Sequence, residues 1–153
     1  MPGPPRLRPF GLVLHHDGCW SHEGQPFRNT RLRRLFDRSV RYLPDEALYV
    51  VQVGRFRGQI EVEEAAFFVR SFDPESGEVQ LSDESRELLD VGSLLSSRID
   101  GALLCRVKAE LASGGLAARF SHSAQADLLL AVEETARGPQ LRVAGALCPL
   151  PAL

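Results

Sequence analysis

From Leu12 onward apolar and polar side chains alternate up to Asp17-Gly18, and the alternation resumes through Trp20 and His22, which predicts two half-buried strands joined by a tight turn. Asp-Gly favours a two-residue loop, because both central positions of such a turn need positive φ. With that loop His16 faces Cys19, His15 faces Trp20, Leu14 faces Ser21 and Val13 faces His22. Val13, His15, Trp20 and His22 then share one face, and Leu12, Leu14, His16 and Cys19 share the other.

Asn29 reads as a helix N-cap, since its short amide can accept a free backbone N–H of the first turn. Leu32, Leu35, Phe36, Val40 and Leu43 follow in one stripe at helical spacing, with Arg31, Arg34, Arg38 and Arg41 on the opposite side and Pro44 as the stop. Leu48 to Val53 predicts a buried strand ending at Gly54. A partner opens at Gly58, alternates Ile60 and Val62 with Glu61 and Glu63, and carries on through Ala65, Phe67 and Val69.

Asp73-Pro74-Glu75-Ser76-Gly77 is a dense turn signal, followed by a short strand over Glu78 to Leu81. Residues 82–95 fit neither period and read as irregular, and Ile99-Asp100-Gly101 as a second tight turn. Strands are expected over Ala102 to Lys108, with Leu103, Cys105 and Val107 on one face, and over Leu116 to Phe120. Ser123 would cap a helix from Ala124 to Thr135 whose inner stripe is Ala124, Leu128, Ala131 and Val132, leaving Leu130 outside it. A last strand over Gln140 to Leu147 closes the sheet. The order predicts an α+β fold of antiparallel sheets, each packed by a helix, in two small halves, 10–72 and 73–153, behind a proline-rich extended arm, 1–9.

The chain has 153 residues, 44 % hydrophobic and 25 % charged, which suits a globular protein with a real core. Net charge is only −2 but uneven: up to Arg57 ten arginines meet five acids, and beyond it eight bases meet fifteen acids. A basic front could hold an anion, yet the arginine row lacks interleaved aromatics, so nucleic acid is disfavoured as a partner. One lysine beside seventeen arginines fits a GC-rich genome better than a selection for phosphate contacts. No apolar run reaches membrane-spanning length, and Phe10 to Leu14 is too short for a signal peptide, so a cytoplasmic location is expected. Cys19, Cys105 and Cys148 form no C-x-x-C pair and read as reduced thiols.

His15, His16, Cys19 and His22 suggest a zinc site, but the two-residue hairpin splits them between faces, so no metal or other cofactor is expected. His122 between Ser121 and Ser123, with Asp127 nearby, lacks a strained nucleophile turn, and Glu61 with Glu63 reads as a wetted sheet face rather than a glycosidase pair. Trp20 reads as a half-buried hairpin anchor or, alternatively, as the aromatic wall of a groove shared with His15 and His22.

Asp17-Gly18-x-Trp20, Glu23-Gly24-x-Pro26, Leu32-x-x-Leu35-Phe36 and Ile60-x-Val62-Glu63-x-x-x-Phe67 resemble the bacterial family called domain of unknown function 1285. The resemblance spans residues 11–72, with weaker agreement at the Arg119-Phe120 strand and the helix after it. The chain departs from the family pattern in Gln52-Val53-Gly54-Arg55, where a Thr-Pro stretch is usual, and in Glu64-Ala65-Ala66-Phe67, where Asp-x-Pro-Phe is expected. The resemblance implies an α+β fold of two related halves, the second like a pleckstrin-homology-type barrel, and a binding or signalling role. The expected function is therefore a non-enzymatic module that engages a protein partner or small anionic ligand near the junction of its halves. Trp20, His22, Arg31, Arg34 and Arg38 are the contact residues, and a homo-oligomer is left open. The alternative is a hydrolytic enzyme whose polar groups only the fold would gather.

Overall fold

A computed structural model of the chain describes residues 8–153, with side chains from residue 11 onward. Two compact units divide the chain, Met1–Ala66 and Phe67–Leu153. Residues 1–7 of the expected arm lie outside the described residues, while Arg8 and Pro9 already belong to the first strand.

In the first unit β1 (Arg8–Leu14), β2 (Trp20–His22) and β3 (Gln25–Pro26) precede α1 (Thr30–Ser39), and β4 (Val40–Leu43), β5 (Leu48–Val53) and β6 (Phe56–Val62) follow it. They form one six-stranded sheet in the order β3-β2-β1-β6-β5-β4. β5 and β6 are the antiparallel pair expected, with Val53 opposite Phe56 across Gly54-Arg55. The two strands at the centre, β1 and β6, run parallel, Leu12 opposite Ile60 and Leu14 opposite Val62.

The first hairpin corrects the expected register. Its loop has three residues: the N–H of His15 donates to the carbonyl of Cys19 at 2.8 Å, and Gly18 (φ +89°) donates to His15 at 3.0 Å. Asp17 Oδ1 accepts the N–H of Cys19 at 3.0 Å, so the aspartate shapes the turn and glycine supplies its left-handed corner. Leu14 now faces Trp20 and Leu12 faces His22. A one-residue slip exchanges the two faces of a strand, so Leu12, Leu14 and Trp20 all enter the core.

Asn29 caps α1 as expected, accepting the N–H of Leu32 at 3.1 Å. The helix ends at Ser39 rather than running to Pro44, and Val40–Leu43 is β4, with Val40 opposite Val51 and Tyr42 opposite Tyr49. Val40 and Leu43 satisfied the helical stripe, but a β-branched residue beside an aromatic one suits a strand when a partner is at hand. The Tyr42 and Tyr49 rings meet at 5.0 Å.

β6 stops at Val62, so Ala65, Phe67 and Val69 do not continue it. Phe67 instead opens the second unit as the start of β7 (Phe67–Asp73), and the Asp73–Gly77 turn is a hairpin inside that unit. β8 (Glu78–Leu81), β9 (Arg86–Leu88), a single 3-10 turn at Val91–Ser93, β10 (Leu95–Ser96), β11 (Leu103–Val107) and β12 (Leu116–Phe120) complete a sheet of order β10-β11-β12-β7-β8-β9. β7 and β12 at its centre are again parallel. In chain order the two sheets are the same device: a three-strand meander runs outward, and a second meander returns from the far edge to lie parallel against the first strand. The expectation of wholly antiparallel sheets therefore fails at one pair in each. A long return leaves no turn signature in sequence. Because the second unit repeats the first unit's strand order, its topology gives no specific ground for a pleckstrin-homology-type barrel.

α2 (His122–Leu130) starts from Ser121, whose Oγ accepts the N–H of Ala124 at 3.2 Å, and buries Ala124 and Leu128. It was expected from a cap at Ser123 through Thr135. The chain instead turns at Ala131 into β13 (Val132–Thr135), because Val132 and Thr135 pair with Leu141 and Gly138 of the next strand. β13, β14 (Gly138–Val143) and β15 (Ala146–Pro149) make a separate three-stranded sheet. Among the described residues no helix is long and apolar enough to cross a membrane.

Candidate functional site

Two turns of the second unit and the end of α2 converge around a cleft of about 780 Å3. Phe72 and Asp73 end β7, Pro74 and Glu75 form the hairpin after it, and Gly77 fixes that hairpin's exit. Gly77 has φ +80°, and a Cβ there would come within 2.7 Å of Val143 Cγ1, so a larger residue would be strained and would have to displace that methyl group of β14. The N–H of Ala144 donates to the carbonyl of Pro74 at 2.9 Å and ties the β14–β15 turn to the same place. α2 supplies the opposite wall. Its buried side faces inward, so Leu129 and Leu130 point outward, 59 % and 86 % exposed, with Leu130 on the cleft.

The apolar part of the lining is Pro74, Ala131, the nearly buried Phe72 and the outward Leu130, and the acidic part is Asp73, Glu75, Asp127 and Glu133. Arg142 is the one base in the lining. Its Nε donates to Glu133, its Nη1 lies 3.3 Å from the carbonyl of Gly145, and the bond to Glu133 raises its pKa. The sequence carried two traces of this site, the surplus of acids after Arg57 and a leucine outside the helix stripe. Neither says that Leu130 and Glu75 meet.

The expected contact residues are dispersed. Trp20 is 1 % exposed rather than half-buried, and its Nε1 donates to Asp37 Oδ1 at 2.7 Å, so it anchors the core. His22 is exposed on β2, no longer beside His15. Arg31, Arg34 and Arg38 are exposed on α1, whose first turn holds no acid. Arg41, expected in the same row, lies on β4 and donates to the carbonyls of Arg38 at 2.9 Å and Val40 at 2.7 Å. His122 is exposed at the start of α2, and Ser121 is spent on the cap.

The parallel pairing of β1 with β6 makes a cluster that the sequence hid. Glu63 follows β6 beside the first turn, where one carboxylate oxygen accepts both the N–H of His16 and its Nδ1. The other lies 3.8 Å from Nδ1 of His15, whose Nε2 is 2.8 Å from Ser21 Oγ. Cys19 is exposed and Ser21 buried, and no group of three metal-ligating side chains is assembled among the described residues. The backbone N–H and the ring of His16 hold the Glu63 carboxyl below its ordinary range. A lowered carboxylate stabilises the fold above the free-glutamate value, about pH 4.3, and that contribution is lost as pH falls through the lowered value. In His16→Ala the Glu63 titration midpoint, read by carboxyl NMR, is expected to move part of the way back up, since the backbone N–H remains. An unmoved midpoint would remove the side-chain bond from this account.

No protein-family model and no curated relative matches the sequence, whereas solved structures do. A DUF1285 family protein from Silicibacter pomeroyi DSS-3 superposes with a TM-score of 0.63 at 16 % identity, over 95 % of this chain and 82 % of that one. A second DUF1285 family protein, from Shewanella baltica OS155, gives a TM-score of 0.52 at 14 % identity, over 78 % of this chain and 91 % of that one. The chain thus has the fold of the family that its sequence resembles.

Proposed function

We infer, from the fold shared with two DUF1285 family proteins, that this chain is a bacterial member of that family and works by binding, engaging a protein partner through the cleft of its second unit. One observation carries the reading: Leu130, 86 % exposed, stands over an apolar floor in a cleft of about 780 Å3. That volume falls in the range of ligand sites, and an apolar floor ringed by a few polar groups is the composition of a docking surface. The acidic rim repels anions, so the small anionic ligand falls to the exposed Arg31, Arg34 and Arg38 face of α1. Three unbonded cysteines fit a reducing compartment such as the cytoplasm. Among proteins retained by the immobilised chain, a true partner is expected to be lost on Leu130→Asp, with the melting temperature unchanged because Leu130 packs on little. Equal retention by the variant counts against the cleft.

One arrangement favours a hydrolytic second reading: Ser21 Oγ, His15 Nε2 and the Glu63 carboxylate stand in the order of a nucleophile, a base and an orienting acid. Three features weigh against it. Ser21 is 7 % exposed in mid-strand, the His15–Glu63 distance is 3.8 Å, and Glu63 is already committed to His16. Ester hydrolysis by the full chain that is abolished in Ser21→Ala would establish this reading over the first.

A further inference from the structure

We propose that the occupant of the second unit's cleft is a basic amphipathic segment of a partner protein, with one or two apolar side chains seated on Pro74, Ala131 and Leu130 and arginines or lysines paired with Glu75 and Asp127. The inference rests on the docking reading above and adds to it the chemistry of what docks.

Charge complementarity singles out this occupant. Four carboxylates rim the cleft against one guanidinium, and that guanidinium is held by Glu133 and the carbonyl of Gly145. Asp73 is partly satisfied by the N–H of Glu75 and the hydroxyl of Ser76, but a neutral apolar segment laid over Leu130 would strip water from Glu75 and Asp127 without replacing it, which costs free energy for each carboxylate covered. An anionic segment would add repulsion. A small cation alone would satisfy the acids but leave the volume over Phe72, Pro74 and Ala131 unfilled. Only a ligand with an apolar centre and basic flanks meets both the floor and the rim.

The floor is also built to stay open. Leu128 buries the inner side of α2 while Leu130 is turned out, so the helix cannot cover both. Gly77 and the Ala144–Pro74 bond hold the two turns that form the far wall. Binding therefore requires little rearrangement of the unit, and the leucine supplies most of the apolar contact while the acids steer approach.

The test titrates the full chain into a short fluorescein-labelled Leu/Lys amphipathic peptide, its Leu/Glu counterpart and a Ser/Lys control, following anisotropy at low and high salt. Binding is expected for Leu/Lys alone, weakening as salt rises. Leu130→Ser is expected to weaken it about tenfold, and Asp127→Lys to weaken it and flatten its salt dependence. Both residues are exposed, so unchanged melting temperatures check that the fold is intact. If Leu/Glu binds as well as Leu/Lys and both depend on Leu130, the cleft docks proteins but the basic partner is wrong. If Ser/Lys binds equally, the site is a mere cation surface and the inference fails. If none of the peptides responds to Leu130→Ser, the docking reading falls with it. Self-association of the chain that Leu130→Ser abolishes would reassign the cleft to a second copy and overturn the proposal.

Discussion

Trp20→Ala is expected to remove about 3–5 kcal/mol of stability, the range for deleting a large buried aromatic. Such a loss is a large fraction of the roughly 5–15 kcal/mol by which a typical domain is stable. The ring is 1 % exposed, stacks on Phe27 with centroids 6.5 Å apart and meets Phe36 edge-on at 5.5 Å, while Phe27 and Phe36 meet at 5.3 Å. Three aromatics from β2, the following loop and α1 thus close the first unit around one side chain. Trp20→Phe keeps a ring but loses the N–H to Asp37 at 2.7 Å, so about 1–3 kcal/mol is expected. Urea unfolding followed by far-UV circular dichroism measures both, since the chain's only tryptophan is absent from the variants. A loss under about 1 kcal/mol in Trp20→Ala would mean that the ring is at most half-buried, as the sequence alone predicts.

Lys108→Met is expected to cost about 3–5 kcal/mol, because it strands a carboxylate in the second unit. Lys108 Nζ lies 2.8 Å from Asp83 Oδ2, with the two side chains 13 % and 9 % exposed, and 3.1 Å from Ser85 Oγ. It also sits 5.0 Å from the centre of the Phe67 ring. In a chain whose other bases are all arginine, a compact ammonium stands where one charge must serve a carboxylate, a hydroxyl and a ring face. Lys108→Arg keeps the charge but brings a planar fork that cannot meet all three, so a smaller loss is expected. Burial pushes the Asp83 carboxyl up, but bonds from Lys108 and Ser85 outweigh it and hold the group below its ordinary range. Its contribution is therefore present above the free-aspartate value, about pH 3.9, and lost as pH falls through the lowered one. Without Lys108 only burial and the Ser85 bonds remain, Asp83 takes its proton at higher pH, and the deficit of Lys108→Met is expected to narrow in acid. Urea unfolding at pH 7 and pH 4 checks this, and a deficit that widens in acid would contradict it.

Two other groups show how position decides chemistry here. Cys105 was expected as a core thiol, and burial, with Glu87 and Asp90 adding to it, pushes that thiol up to about 12, so it stays protonated and inert. Asp100 sits in the expected Ile99–Gly101 turn, yet the Arg119 guanidinium, donating to both its oxygens at 3.0 and 2.6 Å, holds its carboxyl well below the usual range. The turn was legible; the arginine facing it from β12 was not.

What the sequence determined by itself is local. The cap at Asn29, the exposed Arg31, Arg34 and Arg38, the β5–β6 hairpin, the turn at Asp73–Gly77 and the strands around Cys105 and Ala118 all follow from turn chemistry, capping and period, which act over a few residues. Tertiary structure decided the rest. Whether the first loop held two residues or three turned on how the strand met its neighbours, and that choice sent Trp20 inward and separated it from His15. Val40 could continue a helix or begin a strand, and Val51 across the gap settled it. The parallel seams of β1 with β6 and β7 with β12 brought Glu63 to His16 and set α2 against β7, leaving Leu130 over a cleft. Such pairings join segments dozens of residues apart without a turn between them, so their free energy comes from the assembled sheet and from no stretch of chain that could be read alone.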